Sequence, residues 1–374
     1  MRKSDQSAQG RISIVLLVVG LLIGVAIGFV TFRTPAQPID TSPTPEVIPE
    51  VIPEVIPEVI PESISVETVP NSAFGPAIDQ TKGYLVEEIS DGLYWLTEGV
   101  YQVMFLTTGE GVIVVDAPPS IGQNLLNGIA EVTNEPITHV IYSHSHADHI
   151  AAAGLYPSDA IYIAQEETAA LIARANDPNR ALGFGLFVGG SSVPLPTLTF
   201  RDELTLEVGT QTLELSYKGP VHTPGNIFIY APEQKVLMVI DIVFPGWSPF
   251  LDLAVSSDVP AYVGAHDQIL EFDFETYIGG HVTRLGTRGD VEIQKEYILD
   301  MQNNAAQALQ TVDFFAVANE VGFENVWLLI DTYFDRLEEE CTRLTMEKWS
   351  GRLGGVDLFT PGHCTRLMES LRLD

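Results

Sequence analysis

Four potential metal ligands lie within six residues of the chain, at His144, His146, Asp148 and His149. They directly follow an apolar, strand-like run that ends at Tyr142. A strand that ends in such a cluster presents it on a turn at the sheet edge, where α/β folds gather their sites. Residues two apart can face one ion while their neighbours face a second. The sequence therefore predicts two divalent metal ions, and because imidazole and carboxylate ligands suit zinc we expect zinc, with iron or manganese, which the same ligands also suit, as alternatives.

More ligand-type side chains occur at the ends of other predicted strands. Asp241 ends the apolar run 236–240, and His281 follows a Gly-Gly pair. His222 lies in a turn-rich loop between two strand-like runs, and Asp116 ends the run 111–115. Strand ends on one side of a sheet lie near one another, so these side chains are candidates for the same site.

This set and its order resemble the metallo-β-lactamase-fold hydrolases. The resemblance covers about residues 84–290 and rests on the His-x-His-x-Asp-His run, the Gly-x-x-His-Thr-Pro-Gly loop, the strand-end Asp and the Gly-Gly-His turn. It implies that His144, His146 and His222 hold one metal, and that Asp241 bridges to the other. It also implies that the second metal is held by Asp148, His149 and His281, and that Asp116 orients a ligand or is a turn residue.

The same resemblance implies a hydrolase in which a hydroxide held between the two ions attacks the substrate and Asp148 moves a proton. The expected substrate is a small ester, lactone or thioester-like molecule. A bridging aspartate departs from the β-lactamases proper, so a β-lactamase is a weaker alternative. An iron-dependent oxidoreductase on the same fold and a non-catalytic extracytoplasmic binding module are the others.

Aromatic side chains just past Asp241 suggest a hydrophobic part of the substrate. Phe244, Trp247 and Phe250 lie in a loop rich in proline and glycine, as does the stretch 183–190. Such loops at the mouth of a site can form an apolar substrate wall, and ordinary loop packing is the alternative. The remaining histidines are placed outside the site, because His139 lies inside the predicted strand, His266 lies in a helix-like stretch, and His363 has only Cys364 as a neighbouring ligand type.

The N-terminal residues predict a membrane anchor. Residues 12–32 are uncharged, which is long enough to span a bilayer, and basic residues precede them. The positive-inside rule then places the N-terminus in the cytoplasm and the catalytic domain outside it. A cleaved signal peptide is the alternative. Gly20, Gly24 and Gly28 have the spacing of a helix-pairing face, which raises a homodimer as one interpretation.

Residues 34–80 predict an extended linker, because four Val-Ile-Pro-Glu copies between residues 47 and 62 place a proline at every fourth position. At about 3.1 Å per residue the copies span roughly 50 Å. We therefore divide the chain into an anchor (1–33), a linker (34–80), a catalytic domain (81–290) and a C-terminal helical extension (291–374).

The charge balance restricts the partners. The chain has 19 Lys and Arg against 50 Asp and Glu, a net charge of −31. Such a surface repels phosphate backbones, so we expect a small-molecule substrate, no nucleic acid, and membrane contact through residues 12–32 alone. The two cysteines, Cys341 and Cys364, are either paired, as in an exported protein, or buried thiols.

The order of predicted elements favours a four-layer αββα sandwich of the metallo-β-lactamase type. Short strands with Asp-Gly and glycine turns precede the ligand run, and helices alternate with later strands. Helical spacing begins near Val291. In the extension we predict separate helices at Phe323–Leu337 and Glu338–Trp349.

Overall fold

The computed structural model describes residues 69–180 and 182–374. The predicted anchor at residues 12–32 and residues 34–68 of the predicted linker lie outside the described residues. Within the described ranges, no helix combines the length and the hydropathy that crossing a bilayer requires.

Two β-sheets form the centre of the described structure. In chain order, strands β1 to β12 are Leu85–Ser90, Leu93–Thr97, Gln102–Thr107, Val112–Val115, Ile137–Ile141, Ile161–Gln165, Leu198–Phe200, Glu203–Val208, Gln211–Tyr217, Ile227–Ala231, Val236–Met238 and Thr276–Ile278. The first sheet has the order β1 to β7, antiparallel up to β4 and parallel from β4 onward. The second has the order β12-β11-β10-β9-β8, and within it only β11 and β12 pair in parallel.

The helices cover the outer faces of both sheets. In chain order, α1 to α8 are Asn124–Val132, Ala147–Ile150, Glu166–Ala175, Val259–Leu270, Arg288–Thr311, Phe314–Val321, Val326–Trp349 and Val356–Leu373. Alternate residues of β4 show how the layers are built, because Ile113 packs between the sheets whereas Val114 packs with Leu125 of α1 on the outer face. On the other side, Tyr277 of β12 packs with residues of α5, α7 and α8. The predicted αββα sandwich with C-terminal helices is therefore confirmed.

The predicted division of the C-terminal extension was wrong in one place. Val326–Trp349 is one continuous helix, so the break predicted before Glu338 does not exist. The acidic run there lies on an exposed face, where Arg343 pairs with Glu340 and Glu347 at helical spacing. Cys341 of α7 and Cys364 of α8 form a disulfide, which decides between the two alternatives that the sequence left open.

Candidate metal centre

The loops that follow the parallel strands bring the predicted ligands together at one end of the sandwich. His144 and His146 follow β5, and Asp148 and His149 lie in the short helix α2. In the second sheet, Asp241 follows β11 and His281 follows β12, and His222 lies in the loop before β10. Their ligand atoms form two groups, in each of which all atoms lie within 4.8 Å of one another: His144, His146, His222 and Asp241, and Asp148, His149 and His281.

Asp241 contacts both groups. Its Oδ2 lies 3.4 Å from His144 Nε2 and 3.3 Å from both His149 Nε2 and His222 Nε2. Its Oδ1 lies 3.1 Å from His281 Nε2. One buried carboxylate thus faces four imidazoles, which is the position of a bridging ligand.

The imidazole contacts fit cations better than they fit the protein alone. Nδ1 of His146 and Nε2 of His222 lie 3.1 Å apart, and Nε2 of His149 and Nε2 of His281 lie 2.9 Å apart. Two ring nitrogens at this distance repel unless a proton or a cation is shared between them. His144 Nε2 and Asp241 Oδ1 are buried and have no hydrogen-bond partner among the described residues. A buried polar atom without a partner is costly, and metal coordination removes that cost. The residues therefore fit a dinuclear metal site.

The pKa shifts in the cluster also show that its carboxylates favour positive charge on the groups beside them. Burial disfavours a charged His149, but the carboxylates of Asp241, Asp148 and Asp116 together outweigh burial and raise the pKa of His149 to about 9. Burial alone would raise the pKa of Asp241, yet the imidazoles of His149 and His281 lower it well below its ordinary value. At His144, by contrast, burial dominates and lowers the pKa well below its ordinary value. His144 is thus a neutral imidazole, the form that binds metal.

Asp116 sets the orientation of one ligand through Ser143. Ser143 donates its N–H to Asp116 Oδ1 over 2.8 Å and its hydroxyl to Oδ2 over 2.6 Å. Ser143 Oγ lies 3.0 Å from His144 Nδ1. Because the Ser143 hydroxyl already donates its hydrogen bond to Asp116, its oxygen accepts a hydrogen bond from the Nδ1–H of His144. His144 therefore presents a bare Nε2 to the cluster. Burial raises the pKa of Asp116 to about 6, so the carboxyl is still ionised at neutral pH.

Three positions beside the ligands have left-handed backbone. Asp116, Asp241 and Val282 have φ of 62°, 65° and 60°. Such values are uncommon without glycine, and for a β-branched residue they are outliers. Backbone hydrogen bonds hold each of them, since their N–H groups donate to Ile141, Gly279 and Val100 respectively. Backbone strain of this kind clusters at functional sites, where it directs side chains to positions that a regular strand would not allow.

Tyr101 and Gln102 belong to the site but were not predicted from the sequence. The hydroxyl of Tyr101 donates to Asp148 Oδ2 over 3.2 Å, and its ring centroid lies 4.5 Å from that of His281. Gln102 is buried, and its side-chain amide reaches the carbonyls of His281 and Val282 at 2.9 and 2.7 Å. Neither belongs to a ligand motif, and nothing in the local sequence distinguishes them.

A cavity of about 370 Å³ adjoins the cluster. The predicted wall residues Phe244, Trp247 and Phe250 line it, together with Val255 and Phe359, which the sequence did not predict. The stretch 183–190, which shared the wall prediction, lines a separate surface cavity instead.

The three histidines placed outside the site lie outside it in the structure. His139 contacts the neighbouring Thr138 hydroxyl. His266 is buried and faces Gln294. His363 is buried in α8, away from any ligand group of the described residues.

Comparisons with known proteins show the family of the chain. A family model described as the metallo-beta-lactamase superfamily matches residues 96–281. The 2,4-dinitroanisole O-demethylase subunit alpha of Nocardioides sp. is 26% identical over 217 residues, which are 57% of this chain and 62% of that protein. An acyl-coenzyme A thioesterase of Bos taurus is 23% identical over 257 residues, 58% of this chain and 87% of the relative.

A solved structure shows the same fold. The stereoselective inverting sec-alkylsulfatase Pisa1 from Pseudomonas sp. superposes with a TM-score of 0.52 at 16% identity, over 77% of this chain and 50% of its own. The chain spans less than two thirds of the length of the demethylase subunit and of the sulfatase.

Proposed function

This chain belongs to the metallo-beta-lactamase superfamily, and on that basis we propose that it is a metal-dependent hydrolase of a small ester, lactone or thioester-like substrate. It would hold two divalent ions, with zinc as the ion expected for imidazole and carboxylate ligands. The similar acyl-coenzyme A thioesterase supports a substrate with an activated carbonyl.

The observation that carries the proposal is the position of Asp241. Its Oδ2 lies beside His144 and His222 of one group and beside His149 of the other, and its Oδ1 lies beside His281 of that second group. A carboxylate placed in this way can be shared by two cations. Two ions side by side lower the pKa of bound water and polarise the bond to be broken.

The side chains around the cluster have separable roles in such a reaction. Asp148 lines the cavity with one face, so it is placed to take up or release a proton near the substrate. The Tyr101 hydroxyl donates to Asp148 and fixes that carboxylate. Burial raises the pKa of Tyr101, so its hydroxyl keeps the proton that it donates. Phe244 and Trp247 keep bulk water from part of the cavity.

Where the enzyme works is also a proposal. The uncharged stretch 12–32 supports a single-pass anchor with the catalytic domain outside the cytoplasm. The disulfide between Cys341 and Cys364 favours an oxidising compartment. Pairing of two copies through Gly20, Gly24 and Gly28 stays a prediction.

The test is the metal content and activity of the full chain. We expect two zinc ions per chain by elemental analysis, and hydrolysis in a panel of esters, lactones and thioesters that stops on chelation. Asp241→Asn should lose metal, whereas Asp258→Asn, which alters a helix cap outside the cluster, should keep it. Iron in place of zinc would favour the oxidoreductase, and a folded chain that takes up no metal would leave only the binding module.

A further inference from the structure

Part of the cavity wall comes from the C-terminal helices. The match to the family ends at residue 281, yet Gly354 and Phe359 also line the cavity. Phe359 belongs to α8, and its ring packs edge-on against that of Phe250 with centroids 5.4 Å apart. The segment beyond the family match therefore takes part in forming the substrate space.

Backbone contacts attach the aromatic loop to the start of α8. Ser248 donates its N–H to the Gly354 carbonyl over 2.9 Å, and Gly354 donates to the Gly246 carbonyl over 3.0 Å. A Cβ at Gly354 would lie 2.4 Å from the ring of Trp247. Because only glycine leaves room for that ring, the position of Trp247 depends on the segment before α8.

The next stretch of the wall is a left-handed turn. Asp252, Leu253, Ala254 and Val255 have φ of 52°, 57°, 55° and 48°, and the last two line the cavity. Four consecutive L-residues rarely adopt this conformation, because each Cβ crowds the following carbonyl oxygen. Such a turn persists only where the surrounding structure holds it.

His363 of α8 holds this turn. Leu253 donates its N–H to His363 Nδ1 over 2.9 Å, and His363 Nε2 donates to the Pro249 carbonyl over 3.0 Å. The side chain is fully buried, and both bonds together require a neutral ring with its proton on Nε2. Just beyond the turn, Arg366 donates to the Ser256 carbonyl over 3.0 Å. Helix α8 thus fixes the turn on both sides.

The chemistry of the wall restricts what lies against it. No Lys or Arg occurs among the described residues that line the cavity, and the only charged ones are the ligands Asp148 and Asp241. A charged substrate group placed against Val255, Phe250 and Phe359 would lose water without gaining a partner. A hydrocarbon chain would gain from the same transfer, and the gain grows with each CH₂ that is buried.

We propose that α8 is the specificity element of this site. The substrate of the proposed hydrolase carries an uncharged hydrocarbon chain, Phe359 limits the length of chain that fits, and His363 is a positioning residue for the adjacent wall. The proposal rests on the proposed function, and its test has a binding measurement that does not depend on turnover.

The experiment uses the full chain, loaded with zinc and placed in lipid nanodiscs. Straight-chain hydroxamic acids, from acetyl to dodecanoyl, bind zinc through one end and probe the cavity with the other, and calorimetry gives their affinities. We expect affinity in the wild type to rise with chain length up to a limit. Phe359→Ala should move the limit to longer chains and tighten binding of the longest by about tenfold. Phe315→Ala removes an exposed phenylalanine of α6 that is 67% exposed and should change nothing.

A second variant tests the positioning role. In His363→Phe, affinity should no longer stop rising at a defined chain length. In His363→Asn, whose side chain can still accept the hydrogen bond from Leu253 N–H, much of the chain-length limit should remain. The proposal would be overturned if affinity depended on chain length in the same way in Phe359→Ala and Phe315→Ala. It would also be overturned if the affinities of the wild type did not depend on chain length. Hydrolysis of the matched p-nitrophenyl esters separates the two ideas. A chain-length limit in binding without any hydrolysis would contradict only the proposed function. Hydrolysis without a chain-length limit would contradict only this inference.

Discussion

Replacing Asp116 with asparagine should weaken metal binding without unfolding the protein. Asparagine tolerates the left-handed backbone at this position better than most residues, so the turn after β4 is kept. Its side chain has only one acceptor oxygen, which the Ser143 N–H requires. Its amide NH₂ then faces Ser143 Oγ and donates to it. Ser143 must now turn its own proton towards His144 Nδ1, which forces the His144 proton onto Nε2, the atom that faces Asp241.

The magnitude follows from losing one correctly oriented ligand. Changing the partner that orients a metal-bound histidine typically lowers metal affinity 10–100-fold. That corresponds to about 1.4–2.7 kcal/mol. The double variant Asp116→Asn with Ser143→Ala should recover part of the loss, because removing the hydroxyl frees His144 to choose its tautomer. This recovery distinguishes a tautomer effect from a loss of local charge, which the second substitution would not repair.

The assay is a competition titration of the metal-free protein with zinc against a chromophoric chelator, at neutral pH. The control is Asp290→Asn, which breaks the capping box of α5 and the pair with Arg284 but lies outside the cluster. We expect the control to lower thermal stability and to leave zinc affinity unchanged. Wild-type zinc affinity in Asp116→Asn, with the fold intact by circular dichroism, would refute the reasoning about Ser143.

Three more outcomes are expected from the same structure. Gln102→Leu leaves the carbonyls around His281 without a donor and should lower the free energy of unfolding by about 2–3 kcal/mol, measured by urea denaturation; no change would mean that water replaces the amide. Cys341→Ser removes a disulfide of sequence separation 23 and should lower the free energy of unfolding by about 3 kcal/mol. A reductant should lower the free energy of unfolding of the wild type by a similar amount and should leave that of the variant unchanged. Tyr101→Phe keeps the ring packing and removes the hydroxyl that donates to Asp148, so zinc affinity at the site of Asp148, His149 and His281 should fall about tenfold in the competition titration.

The candidate ligands could be found from the sequence because each one belongs to a local pattern. A strand followed by a polar turn is readable within ten residues, and the ends of neighbouring parallel strands converge by topology alone. Tyr101 and Gln102 could not be found in this way. Gln102 reaches His281 across 179 residues of chain, and no local pattern encodes a contact of that kind.

The C-terminal part shows the opposite balance. Its helices were predictable from spacing, but the break predicted before Glu338 does not exist, because the helix continues through the acidic residues and Arg343 pairs with Glu340 and Glu347. Two strands, Leu198–Phe200 and Glu203–Val208, were also absent from the prediction, although the buried positions of the second alternate in the way that strands do. That His363 supports a cavity wall could not be predicted, because the turn it holds has no sequence signature: its four residues are ordinary L-residues in a conformation that only the surrounding contacts impose.

The strained positions around the site have two different supports. The left-handed residues beside the ligands, Asp116 and Asp241, are held by backbone carbonyls at the strand ends of the two sheets. The left-handed turn that ends at Val255 is held by α8, through His363. Since the first support lies within the family match and the second beyond it, metal binding and the substrate selection that we propose for α8 depend on separate parts of the chain. Variants of α8 should therefore change which chains are accepted while two metals stay bound, and variants of the Asp116–Ser143 pair should change metal affinity while the chain-length limit stays where it is.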